Sequence, residues 1–388
     1  MQNKSSFLSL FFCIALGLHY LCIGKVFLKV KLHIFNPEHE MALAADTVRV
    51  SLPHAIQEFK TNLGFLPALW AEDGDFVLVD DVPFAVKALL QCRLPHAEVL
   101  FITPEELRSL TFTSYVPWGW DRAVRQLLVD AGVDGGLLPS DGYLAYIRSL
   151  ADRRNTVDAL AWVRSGIEDV TCGESRFCDT VDGVYEELHR HGSVVVKALW
   201  SSSGRGVRYA DGEWGTSFAG WVANTIARQG GVMVEPYYKK VKDFAYEFYA
   251  YGDGRVEYVG LSLFETNKGS YTGNIVAAEE EKAARLRRYL PGEVMSDVRR
   301  RLERYFSESA FRDYSGPLGV DMMVVAKEGG NGFLLHPCVE INVRRTMGHV
   351  ANSFNTPATE PAMLMHIVHD VNYRLKFDRM ENNFVKVI

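Results

Sequence analysis

The sequence predicts a multidomain α/β and α+β protein, with an open α/β layer at the N-terminus followed by two α+β subdomains. Three patterns carry that expectation. Between residues 31 and 107, short apolar strands alternate with segments of helical periodicity, as an open α/β layer requires. From about Asp169 to Leu263 the chain is strand-rich, with turn signals at Asp211-Gly212 and Gly252-Asp253-Gly254. The remainder carries two helices and then two strands that hold acids inside apolar runs. The expected units are an apolar leader at 1–30, an N-terminal α/β domain at 31–145, a central subdomain at 146–263 and a C-terminal subdomain at 264–388. A chain of 388 residues with 48% hydrophobic content is ample for two or three buried cores.

The leader comes first. Ser5 to Gly24 contains no formally charged residue, is preceded by Lys4 and is followed by Lys25, Lys29 and Lys31. That is the layout of a signal peptide or a short membrane anchor. No A-x-A site follows it, and His19, Tyr20 and Leu21 before Cys22 are too large for a lipidation site. A third reading, which we favour, starts the protein near Val26 or Val30, because VKLHIF already looks like the opening strand of a globular domain. The expected location is then cytoplasmic, and it is membrane-anchored or exported only if residues 5–24 act as a leader.

Within the first domain, Lys31 to Phe35 alternates as a strand, followed by NPEHE and a helix expected from near Met41. DFVLVDD and AEVLFIT are further short strands, and PFAVKALLQCRL between them has helical spacing. Thr103, Pro104 and Glu106 supply an N-cap, an N1 proline and an N3 acid. No Gly-rich dinucleotide fingerprint follows the first strand. GLLPSDGY reads as a linker, and LAYIRSLADRRNTVDALAWVR reads as one helix. The aromatics of FAYEFYAY alternate, which indicates sheet core and not base stacking.

The net charge of -6, with acids and bases interspersed, argues against nonspecific nucleic-acid binding. The six cysteines show no C-x-x-C pair and no histidine at zinc-finger spacing, so a reduced, metal-free set is expected. The separation of Cys172 and Cys178 leaves a bridge open in an oxidising compartment.

The chemistry concentrates in four places. In PCVEINVRRTMG, Glu340, Asn342 and Arg344 fall at alternate positions of a strand and share a face. A carboxylate and a carboxamide beside a guanidinium suit magnesium and phosphate. Upstream, VVVKALWSSSGRGV reads as a buried strand that delivers Lys197 into a loop of Ser201, Ser202, Ser203, Gly204 and Gly206. Its hydroxyls and N–H groups suit phosphate oxygens. The lysine precedes the glycines, so this is not a Walker loop, and a plain hairpin turn is the competing reading. In VMVEPYY, Glu235 ends an apolar strand, with Tyr238 just beyond it and Asp243 eight residues on from Glu235, where they suit an adenine edge and a ribose hydroxyl. In GPLGVDMMVV, Asp321 lies within an apolar run, which is costly unless it is paired or bound to a cation.

In this order and at these intervals the residues resemble the ATP-grasp superfamily, over roughly Ser149 to Met363. The resemblance implies a pre-ATP-grasp-like N-terminal domain and two α+β subdomains closing on ATP. It implies Lys197 on the α and β phosphates, the Ser201 to Gly206 loop over the triphosphate, and Glu235, Tyr238 and Asp243 around the nucleoside. It implies Asp321, Glu340 and Asn342 as ligands of Mg2+, with Mn2+ as an alternative, and Arg344 facing the transferred phosphate. The family's earlier phosphate lysine has its best counterpart here in Arg153 or Arg154. Gly319 stands where amino-acid ligases often carry an arginine, so a dipeptide-ligase specificity is not supported. Arg345 should fall on the opposite strand face as a surface charge.

The expected function is an ATP- and Mg-dependent ligase of the carboxylate-amine type acting through an acyl phosphate. Its partners are a small-molecule carboxylate and an amine or other nucleophile, with no nucleic acid. Candidate acceptor contacts are Asn267 and Lys268 in FETNKGSYTGNIV, and Glu38 and His39 in NPEHE. The alternative is a non-catalytic nucleotide-binding or scaffold protein that keeps the same fold.

Overall fold

The computed structural model describes residues 30–92, 95–201, 206–267, 270–354 and 356–380. The apolar leader therefore lies almost wholly outside the described residues, as do Ser202, Ser203, Gly204 and Lys268. Among the described residues, no helix is long and apolar enough to cross a membrane.

Four short strands, β1 (Lys31–Ile34), β2 (Phe76–Leu78), β3 (Leu100–Ile102) and β4 (Ser114–Pro117), form a parallel sheet in the order β3-β2-β1-β4. The chain moves outward from β1 to β3 and then returns to the other side of β1. The carboxyl ends of β1 and β4 therefore flank the point where the strand order reverses, the usual crevice of an open α/β sheet. NPEHE leaves β1 at that point, and the helix after it starts at His39, two residues before the expected Met41. The helix Pro104–Leu107 carries the full capping box expected from Thr103 and Glu106.

The expected single helix from Leu144 to Arg164 is two, Asp141–Leu150 and Asn155–Arg164. Asp152 accepts the Arg154 backbone N–H at 2.9 Å, and the Asn155 carboxamide donates to the carbonyls of Ser149, Leu150 and Asp152. Short polar side chains here capture backbone groups that the helix would otherwise use. The first helix also takes in part of the expected linker, with Ser140 as its N-cap.

A small antiparallel sheet follows, in the order β5-β8-β6-β7, from β5 (Arg176–Cys178), β6 (Ser193–Ala198), β7 (Val207–Asp211) and β8 (Val232–Pro236). Helices Val181–His191 and Thr216–Gln229 cover it over a core that includes Val184, Val194, Val196, Val222 and Val234. The remaining strands are β9 (Lys240–Tyr251), β10 (Val256–Asn267), β11 (Ser270–Val276), β12 (Ser315–Ala326), β13 (Phe333–Asn342), β14 (Met363–His369) and β15 (Tyr373–Arg379). They build the second antiparallel sheet, in the order β13-β12-β9-β10-β11-β14-β15. The expected boundary at residue 263 thus falls inside β10, and β9 pairs with β12 and β10, in the large sheet and not the small one.

One face of the large sheet is apolar. Phe244, Tyr246, Phe248, Leu318, Val320 and Met322 pack against the two helices near Leu150 and Leu160 and against helix Gly292–Glu308. Its far edge meets the N-terminal layer, where Val276, Met365 and Leu375 join Phe35, Leu63 and Leu66 in one core. Cys92, Cys172, Cys178 and Cys338 are free thiols, and burial pushes the Cys172 and Cys178 thiols up to about 11.

Candidate active site

The other face of the large sheet is polar because register stacks its acids. Asp321 lies directly opposite Glu340, and Gly319 lies between Asn342 on one side and Glu247 on the other. Like charges placed opposite one another in a ladder repel. Burial, then Glu340 and Glu247, hold the Asp321 carboxyl well above the usual carboxylate range. Asn342 is buried beside them. Two facing carboxylates and a carboxamide oxygen are a hard donor set that suits an oxygen-loving divalent cation.

Glu247 escaped the sequence reading, although an acid inside FAYEFYAY carries the same signal as Asp321. It is 1% exposed and lies 2.9 Å from His349 Nδ1. A Cβ on Gly319 would come within 2.7 Å of its carboxylate, and one on Gly348 would collide with it. The missing side chain at Gly319 is the space that Glu247 fills.

The strand β13 ends at Asn342, so Arg344 does not ride the strand alternation that was expected to aim it. It nevertheless lines one small cavity together with Glu340 and Asn342. Its guanidinium is ion-paired with Glu40 across the domain seam. Burial opposes its charge, but Glu40, with Glu340 and Asp321 behind it, more than offsets that and holds its pKa above the ordinary value. Arg345 is not the surface charge expected. Its N–H donates to the Trp118 carbonyl at 2.9 Å, its guanidinium stacks 4.7 Å over Trp70, and burial pushes its pKa down to about 10.

The break between the two helices places Arg153 in the same centre. It donates to Ser201 Oγ at 2.8 Å, to the Ser201 carbonyl at 2.9 Å and to Glu340 at 2.5 Å. Arg154 instead pairs with its neighbour Asp152 and stacks over Phe177. Of the two arginines weighed, Arg153 is the one at the site.

Lys197 and Glu235 face each other across paired strands of the small sheet at 2.7 Å, both almost fully buried. Lys197 also donates to the Val339 carbonyl at 3.1 Å. The ladder between β12 and β13 is irregular beside this carbonyl, near Pro337, which has no N–H to contribute. Ser201 and Gly206 flank the β6–β7 connection, and a Cβ on Gly206 would collide with the Ser201 side chain.

Between the two antiparallel sheets lies a cleft of about 740 Å³ lined by Lys197, Glu235, Tyr238, Asp243 and Asp321. Asp243 accepts from Lys240 at 2.5 Å and Thr266 at 2.6 Å. Burial raises the Tyr238 hydroxyl above its ordinary value. The acceptor candidates separate. Lys268 lies outside the described residues, as does the Asn267 side chain, while Glu38 pairs with Lys60 at 2.5 Å beside a different hollow, and His39 lines the small cavity with Arg344.

No protein-family profile matches this chain, and no curated protein matches it. Solved structures do. The biotin carboxylase domain of Hydrogenobacter thermophilus 2-oxoglutarate carboxylase, solved with MgADP, ADP and bicarbonate, is similar at a TM-score of 0.50 and 13% identity, over 87% of this chain and 74% of that one. Campylobacter jejuni biotin carboxylase in complex with β,γ-ATP gives 0.50 and 12%, over 87% and 75%. An Archaeoglobus fulgidus protein assigned to the ATP-grasp superfamily gives 0.44 and 13%, over 91% and 100%. At such identities the likeness to the two biotin carboxylase structures carries the fold alone.

Two outcomes are expected from the site's electrostatics. Lys197→Ala should lower folding stability by about 3–5 kcal/mol in urea titration, because it leaves Glu235 buried without its partner. Replacing both as Lys197→Met with Glu235→Leu should recover most of that loss, and failure to recover would show that the pair is not the cause. Asp321 binds a proton more tightly folded than unfolded, so the metal-free protein should lose stability as the pH rises above the carboxyl's ordinary value of 3.8. Asp321→Asn should therefore raise the thermal midpoint in chelator at neutral pH. A lower midpoint would show that protein groups alone satisfy the carboxylate.

Proposed function

Because the chain has the ATP-grasp fold, we propose that it is an ATP- and magnesium-dependent ligase of the carboxylate-amine type that works through an acyl phosphate. The observation that carries this reading is the meeting of acids and fixed cations, with Asp321 and Lys197 sharing the lining of the 740 Å³ cleft and Glu340, opposite Asp321, contacting Arg153. Asp321, Glu340 and Asn342 would hold magnesium, which neutralises charge on the β and γ phosphates. Lys197 and Arg153 add positive charge on the phosphate side. The Ser201 to Gly206 connection, whose residues 202–205 lie outside the described residues, would cover the triphosphate. Glu235, Tyr238 and Asp243 line the part of the cleft that suits the nucleoside. Arg344, a planar fork, suits the phosphoryl group in transfer. Phosphoryl transfer needs positioning and charge more than a protein nucleophile, and this site offers those. The ATP requirement accords with a cytoplasmic location.

One contact favours the alternative of nucleotide binding without ligation. Glu340, a proposed metal ligand, is already held by Arg153 at 2.5 Å. A binding protein would need no more than that.

Calorimetry should find ATP binding much weaker in chelator than in magnesium, since the triphosphate would otherwise face Asp321 and Glu340 unscreened. Equal affinities would remove the metal assignment. Carboxylate-stimulated ADP formation should be lost in Glu340→Gln, Asn342→Ala and Arg344→Lys, while ATP binding keeps much of its adenine and ribose contribution. Normal turnover in these variants would refute the site, and no stimulation in the wild type by any of a broad panel of carboxylates and amines would favour the binding protein.

A further inference from the structure

The switch point of the N-terminal sheet carries a histidine–aspartate pair that the phosphoryl-transfer site does not use. His39 follows β1 and Asp121 follows β4, and each is buried, with His39 Nδ1 2.9 Å from Asp121 Oδ2. The aspartate is firmly held. Its Oδ2 also accepts from the Asn36 carboxamide at 3.1 Å, and its Oδ1 accepts the Val124 N–H at 2.8 Å, capping the helix Arg122–Asp130. An ionised carboxylate only accepts, so Nδ1 carries the imidazole proton and Nε2 presents its lone pair. Gly119 packs so closely on the ring that a Cβ there would come within 2.7 Å of it, which fixes the ring plane.

Nε2 itself is buried and has no hydrogen-bond partner among the described residues. His39 lines the cavity shared by Arg344, Glu340, Asn342, Arg153 and Glu40. The cavity is about 20 Å³, room for one small polar group. A buried unpartnered acceptor is expensive and needs an explanation.

We propose that His39 is the general base that takes a proton from an amine acceptor, with Asp121 as its positioning residue, so that the second substrate is an amine delivered from the switch-point side of the N-terminal sheet. This inference rests on the ligase reading. An ammonium gives one proton to Nε2, and the freed nitrogen pair forms the C–N bond to the acyl carbon. The C–O bond to phosphate breaks, its electron pair leaves with the phosphate, and that phosphate takes the second N–H proton. The hydrogens left on nitrogen stay on the amide, one for a primary alkylammonium and two for ammonium itself. Asp121 stabilises the imidazolium so formed. The other charged groups around the cavity are Glu40 and Arg344 at the domain seam, Arg153 at the helix break and Glu340 on β13.

Hydroxylamine separates the two half-reactions, because it is unprotonated at neutral pH and needs no base to attack an acyl phosphate. The protein is given ATP, magnesium and a panel of amino acids and dicarboxylates as carboxylate donors, first with hydroxylamine and then with ammonium or amino acids as acceptors. In His39→Gln and His39→Ala we expect amide formation to fall by about 10²–10⁴-fold while hydroxamate formation and ATP binding stay near wild type. Hydroxamate in the wild type with equal loss of both products in both variants would overturn the base role and leave the ligase reading standing. Undiminished amide formation in both variants would overturn it as well. No hydroxamate from any donor in the wild type would overturn the ligase reading and this inference together. Calorimetric ATP binding shows whether each variant is folded, and glutamine, closer to histidine in size, keeps the test intact if alanine collapses the packing against Gly119.

Discussion

The site is governed by the mutual repulsion of carboxylates on one face of the large sheet, Glu247 buried and Asp321 and Glu340 half-buried. Strand register fixes Asp321 opposite Glu340 and sets Glu247 one pair along, so these acids cannot move apart without shifting the ladder. Uncompensated, such a cluster is among the more costly features a folded chain can carry. The surrounding structure supplies compensation from several directions. Arg153 reaches Glu340 from the helix break, Arg344 turns in from beyond the end of β13, and His349 meets Glu247 from the helix Met347–Asn352. The break between the two helices is thus part of the electrostatic design, because a continuous helix would place Arg153 and Arg154 differently.

The arginine doublet joins this centre to the N-terminal layer. Arg344 pairs with Glu40, and Arg345 uses its backbone on Trp118 and its guanidinium on Trp70. One short segment after β13 therefore reaches both the acid cluster and the loops at the switch point of the parallel sheet. Glu40 adjoins His39, and Trp118 lies three residues before Asp121, so the contacts that dock the domains also set the position of the histidine–aspartate pair. In the proposed reaction the phosphoryl and acceptor chemistries meet at this seam, and neither domain completes the site alone.

Much of this was legible from local pattern. Period-two spacing placed Glu340 and Asn342 on one face, an acid in an apolar run marked Asp321, and Thr103 with Glu106 specified a capping box. Those signals rest on neighbours within a few residues. Glu40, Asp121 and Glu247 escaped notice because their meaning depends on partners 304, 82 and 102 positions away, brought close only by tertiary packing. The helix break was misread for a related reason. Apolar spacing favoured continuity, while Asp152 and Asn155 competed locally for backbone groups and prevailed. Arg345 was misplaced because strand alternation was carried past Asn342, where the strand stops.

The ion pairs also set the terms on which a cation would enter. Glu340 holds Arg153 at 2.5 Å, so using that carboxylate for magnesium would loosen or share the pair. Separating the buried Arg153 guanidinium from its half-buried carboxylate is unfavourable unless another anion takes the arginine, since it would otherwise leave a buried charge unpaired. A triphosphate is such an anion. Arg153 already contacts Ser201 at the start of the β6–β7 connection, and a phosphate oxygen bound there would receive the guanidinium as the metal took the carboxylate. Cation and nucleotide would then favour one another's binding by exchanging partners around Arg153, a coupling that neither ligand would produce alone.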